Sequence, residues 1–139
     1  MTRKEKYPET STFHFYNQNP KNKYVGDCVI RAISLATEQT WDKVYEDLCQ
    51  LGFKMKAMPN EPKVYSKYLK DLGWIKHNQP RLADNRKYTG KQFCRIEAKG
   101  GKKYLAHIGG HHIVCINDKR VWDIWDSTEG CIGNYWTKE

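Results

Sequence analysis

The stretch His111-His112-Ile113-Val114-Cys115-Ile116-Asn117-Asp118-Lys119-Arg120-Val121-Trp122-Asp123-Ile124-Trp125-Asp126 reads as a β-hairpin. Two apolar runs of β-branched and aromatic residues flank a polar quartet suited to a tight reversal. A turn centred on Asp118-Lys119 pairs Asn117 with Arg120, Ile116 with Val121, Val114 with Asp123 and His112 with Trp125. Side chains alternate along a strand, so His112, Val114, Ile116, Val121, Asp123 and Trp125 share one face, and His111, Ile113, Cys115, Trp122, Ile124 and Asp126 the other. In this register His112 and Asp123 are diagonal neighbours within side-chain reach. A slip of one residue would exchange the faces, so the register selects His112 over His111 and Asp123 over Asp126. Asp126 opens the turn Asp126-Ser127-Thr128-Glu129-Gly130, and Trp125 stands where it could shield the His–Asp pair from water.

Further strands are predicted around this hairpin at Tyr104 to Ile108 and Gly133 to Trp136, with a short apolar piece at Trp74-Ile75. Helices dominate the preceding half. One runs from Asp27 or Cys28 to about Thr37, apolar nearly all round and therefore buried. A second begins behind Thr40 and places Trp41, Val44, Tyr45, Leu48 and Leu51 at helical spacing, with Gly52 as its stop. A third opens at Glu61-Pro62, buries Val64, Tyr65, Tyr68, Leu69 and Leu72, and ends before Gly73. A brief helix follows Thr89. Helices first and an antiparallel sheet after them make an α+β domain over residues 26–139. Residues 1–25 form an extended polar lead-in with a short strand at Thr12 to Tyr16.

Cys28 opens the first long helix. Unpaired amides and the helix dipole at that position favour a thiolate, and a thiolate nucleophile needs a base and the base an orienter. The chain supplies all three in the order Cys28, His112, Asp123. Asp27 is placed to cap the helix with its carboxylate; unless it caps, its charge raises the neighbouring thiol's pKa. His107, His111, His112, Cys115 and Cys131 are of types that zinc accepts, but their spacing fits no closed zinc pattern and the hairpin faces divide them, so no metal and no cofactor are expected. The cysteines, Cys28, Cys49, Cys94, Cys115 and Cys131, form an odd, scattered set read as free thiols.

The formal charge of +8 favours acidic partners, either an acidic protein face or nucleic acid, although the lysines are spread along the chain. No apolar run is long enough to span a bilayer, and the charged N-terminus lacks the core of a signal peptide, which predicts a cytoplasmic protein without a membrane partner.

Asp27-Cys28-Val29-Ile30-Arg31-Ala32-Ile33, Trp41 to Leu48, and His112 through Val121-Trp122-Asp123-Ile124-Trp125-Asp126-Ser127 resemble small uncharacterised proteins of Gram-positive bacteria and their phages over most of the chain. The same segments resemble the papain-like cysteine hydrolases in layout, with a nucleophile at a central helix start and histidine and Asp or Asn on later strands. That resemblance implies a papain-like fold and a thiol hydrolase (peptidase, isopeptidase or amidase) acting on a peptide or protein, with Cys28 as nucleophile, His112 as base and Asp123 as orienter. It also implies an oxyanion donor shortly before the nucleophile, for which Asn22, Gln18 and Asn19 are candidates beside the Cys28 amide. The alternative is a non-catalytic basic binding protein on the same scaffold, such as a phage-encoded inhibitor of a host protein or nucleic-acid complex. The charge and the Lys54-Met55-Lys56-Ala57-Met58 loop motivate that second reading.

Overall fold

The computed structural model describes residues 1–139. The hairpin forms in the expected register: β4 (His112–Asn117) and β5 (Arg120–Asp123) pair Asn117 with Arg120, Ile116 with Val121 and Cys115 with Trp122. Asp118 and Lys119 both take positive φ, which a two-residue turn of this hand requires. β3 (Lys103–Ile108) pairs antiparallel with β4, β6 (Ile132–Lys138) with β3, and the edge strand β2 (Trp74–His77) with β6. β1 (Phe13–Phe15) completes the sheet by running parallel to β5, so the order is β1-β5-β4-β3-β6-β2. The sheet is therefore mixed, and the expectation of a purely antiparallel one is corrected at this edge. A parallel partner needs a long crossover, and the whole helical half of the chain supplies it.

Alternation sorts the sheet's side chains into two layers. Leu105, Ile113, Cys115, Trp74 and Trp136 meet the helices α2 (Cys28–Thr37), α3 (Trp41–Met55) and α4 (Pro62–Asp71). Tyr104, Ala106, Ile108, Val114, Ile116, Val121 and Ile132 form a second core with Phe13, Tyr88 and Phe93. Phe93 opens a π-helical turn, Phe93–Glu97, that continues α5 (Gly90–Gln92), the brief helix anticipated after Thr89. Thr89 caps it in a reciprocal box with Gln92.

Two boundaries differ from expectation. Gly52 does not stop α3; the helix runs on to Met55 and closes on Lys56 in the left-handed conformation. Gly52 is buried because the chain folds back on it, and an added Cβ would lie 2.7 Å from the Ala57 carbonyl oxygen. Its missing side chain serves close packing rather than helix termination. The N-terminal segment is likewise more than a lead-in. Phe13 is fully buried, the Val121 amide donates to the Thr12 carbonyl (2.8 Å), and a short helix, α1 (Arg3–Lys6), precedes the strand.

If residues 1–25 were only an appended tail, Phe13→Ala would leave stability unchanged. With Phe13 in the second core, the variant is expected to lose about 3–5 kcal/mol in urea denaturation.

Candidate functional site

α2 brings Cys28 to the end of the sheet where β4 begins and β5 finishes. The β4–β5 ladder stops at Cys115 and Trp122, short of His112 and Asp123. His112 keeps Ile108 of β3 as its partner and Asp123 keeps Phe15 of β1, but between β4 and β5 pairing has ended, and their side chains reach across that gap toward α2 instead of into the second core that their alternation with Val114, Ile116 and Val121 would assign them.

There the His112 Nε2–H donates to Asp123 Oδ2 at 2.6 Å. That bond fixes the tautomer and leaves Nδ1 as the nitrogen available to the Cys28 sulfur. Burial works against ionisation of both partners. It is outweighed at Cys28 by the hydrogen bond and charge of His112, the Ile113 amide and the Arg31 guanidinium, which hold the thiol below its ordinary value of 9.0. It is outweighed at His112 by Asp123 and Cys28, which push the imidazole up to about 9. The two shifts run in opposite directions, and each favours the charged form of its own group. The Trp125 ring lies tilted 4.9 Å from the His112 ring, covering it on the solvent side.

Sequence reading missed the residue that organises this constellation. Arg31 lies in the apolar helix yet is only 7% exposed. Its Nε donates to Asp27 Oδ1 (2.8 Å) and its Nη1 to Asp123 Oδ1 (2.5 Å). The signal was present as a lone arginine in an otherwise apolar helix, four residues after Asp27. Asp27 accordingly does not cap α2: it makes no side-chain capping bond. Its carboxylate accepts instead from Arg31, the Asn19 amide (3.1 Å) and the Trp41 indole (3.0 Å). The charge that would oppose a thiolate at Cys28 is thereby paired with a buried cation.

The oxyanion candidates fare differently from one another. Asn19 is buried, but its Nδ2 donates to Asp27 and its Oδ1 accepts from the Lys21 and Lys23 amides, so it shapes the loop before Cys28. Asn22 is exposed, takes positive φ and donates its amide to the Asn19 carbonyl, a turn position. The Asn19 side-chain amide is thus engaged with Asp27, whereas only the backbone amide of Asn22 is engaged in the turn. Gln18 is half-buried in the same loop. A second polar chain, also absent from the sequence reading, runs across the helix-side layer: Tyr65 and His107 Nε2 are 2.5 Å apart, and His107 Nδ1 is 2.7 Å from Asn134 Oδ1. His107 stands opposite Ile113 in the β3–β4 register. Burial holds its imidazole below the ordinary value, the reverse of the shift at His112.

A cleft of about 440 Å³ opens over Cys28 and His112. Arg3, Tyr7, Tyr24 and Val25 form one wall and Ile124 and Trp125 the other, so the N-terminal segment is part of the site. Arg3 ties the walls together by donating to the Ile124 carbonyl (3.3 Å) while its guanidinium rests 4.7 Å over the Tyr24 ring. No group of three or more histidine, cysteine or carboxylate side chains is disposed to hold a metal ion. No helix is long and apolar enough to cross a membrane.

No family model, curated protein or solved structure matches this chain.

Replacing Arg31 by Leu would strand two buried carboxylates. The expected cost is about 3–5 kcal/mol in urea denaturation, against less than about 1 kcal/mol for reversing the exposed Lys67–Asp71 pair.

Proposed function

We infer that this protein is a thiol hydrolase on a papain-like α+β scaffold, cleaving a peptide, isopeptide or other amide bond. The observation that carries the reading is the arrangement at the sheet end. A helix-start cysteine with a lowered pKa meets a histidine held by a buried carboxylate, and both face an open cleft.

In this mechanism His112 Nδ1 takes the Cys28 proton, and the thiolate attacks the substrate carbonyl carbon. Negative charge develops on the carbonyl oxygen near the Cys28 amide at the start of α2, where the unpaired N–H groups of the first turn stabilise it. The imidazolium then gives its proton to the departing amine, leaving a thioester on Cys28. Water, deprotonated by the neutral imidazole, attacks the thioester and releases the acid and the free thiol. Asp123 keeps Nδ1 pointed at the sulfur and stabilises the charged ring. Arg31 fixes Asp123 from the far side. Trp125 limits water at the ring.

The five cysteines give an internal control. Cys94 and Cys115 are buried, which pushes each up to about 12, whereas Cys131 is exposed. Iodoacetamide at neutral pH should alkylate Cys28 ahead of Cys131, read by peptide mapping. His112→Ala should slow labelling of Cys28 by roughly tenfold or more, since each unit of thiol pKa is a tenfold change in thiolate. Equal labelling of Cys28 and Cys131, unchanged by His112→Ala, would sink the hydrolase reading.

The pH dependence has a defined sign. Thiolate forms as pH rises through a Cys28 value below 9.0, and the leaving-group proton is lost as pH passes about 9 at His112. Hydrolysis of a peptidyl-aminocoumarin library should therefore fall on the alkaline side near pH 9, and Cys28→Ala should abolish it at every pH.

A further inference from the structure

A second groove, of about 640 Å³, lies between α4 and the edge strand β2, away from Cys28. Trp74 and Trp136 make its apolar floor, and Lys67 and Lys70 from the helix and Lys76 from the strand stand around it. Lys76 lies over the Trp136 ring, its Nζ 5.8 Å from the centroid. Lys67 shares an exposed pair with Asp71 at 3.2 Å, and Lys70 and Lys76 make no salt bridge. β2 pairs only with β6, so its outer edge carries unpaired backbone donors and acceptors.

A lysine on an edge strand has a protective use, since it discourages pairing with other chains. Lys76 alone would serve that end. It does not account for two lysines converging from α4, a turn apart on the helix face that borders the same groove. Concentrated like charge over an apolar floor is unfavourable until an anion relieves it. The combination of an open strand edge, an apolar floor and a cationic rim suits an extended chain carrying carboxylates. Nucleic acid fits less well, because base stacking needs an open aromatic face and Trp74 and Trp136 are only 6% and 1% exposed.

We propose that the groove between α4 and β2 binds an acidic, extended peptide segment of a partner protein, which adds as a strand to β2 and sets its carboxylates against Lys67, Lys70 and Lys76. Successive side chains of the added strand alternate, so its carboxylates face the lysines and its apolar residues turn to the opposite face, where Ile75 is 43% exposed. This surface operates whether or not Cys28 is a nucleophile, and its test reads binding alone.

The probe is a fluorescein-labelled peptide of alternating Glu and Val, titrated with the full-length protein and followed by fluorescence anisotropy. Three results are expected: saturable binding that weakens with salt, a roughly tenfold or greater loss in the Lys67→Glu/Lys70→Glu/Lys76→Glu variant, and a similar loss when alternate peptide nitrogens are methylated. Lys43→Glu/Lys91→Glu, which removes the same kind of charge elsewhere, should bind as wild type, and circular dichroism should show each variant folded. Equal binding by the triple variant, or indifference to N-methylation, overturns strand addition at this groove. Tighter binding of a single-stranded oligonucleotide, lost in the same triple variant, would replace the peptide with nucleic acid and likewise overturn it. A Cys28→Ala protein that binds the peptide normally separates this result from the hydrolase reading.

Discussion

The buried guanidinium of Arg31 is the interaction on which the arrangement at the sheet end depends. It joins two carboxylates from distant parts of the chain, Asp27 at the helix entry and Asp123 at the end of β5. Burying three ionised groups is expensive, and the cost is offset only when each is paired and its remaining hydrogen-bonding sites are filled. Here they are. Asp27 also accepts from Asn19 and Trp41, and Asp123 also accepts from His112 and from the Ile124 amide at 2.7 Å. The network ties the loop before α2, the start of α3 and the ends of two strands into one unit. His112 inherits its position from that unit.

This network also resolves an electrostatic conflict written into the sequence. A carboxylate immediately before a nucleophilic cysteine opposes thiolate formation, and a capping role was the simplest way to neutralise it. The fold uses a cation instead. Arg31 sits one helical turn after Asp27, faces the same side and adds its own favourable charge near the Cys28 sulfur. The helix start thereby keeps its amides unclaimed by Asp27.

The hairpin shows how far local reasoning carries. Its register followed from turn residues and alternation, and that register selected His112 and Asp123 from two histidines and two aspartates. The two do meet, but not as a diagonal pair within a ladder. The β4–β5 ladder ends before reaching them, and across that gap both side chains turn toward α2. The same limit applies at Gly52. A glycine after an amphipathic helix is a good stop signal, yet the close approach of the Ala57 carbonyl gives this one a packing role that no local rule contains.

By itself the sequence determined the α+β class, the three long helices, the strand positions and the hairpin register, because periodicity, turn residues and helix starts are local and act within a few residues. It also brought forward Cys28, His112 and Asp123 as residue types able to act together. Only the tertiary structure decided that β1 joins the sheet in parallel, that the N-terminal segment walls the cleft, and that Asn19 braces Asp27. The placement of Arg31 between two acids, and of Tyr65 beside His107 and Asn134, belongs to the same class. Each depends on contacts between segments far apart in sequence, where one polar group has a partner only because burial leaves it no water.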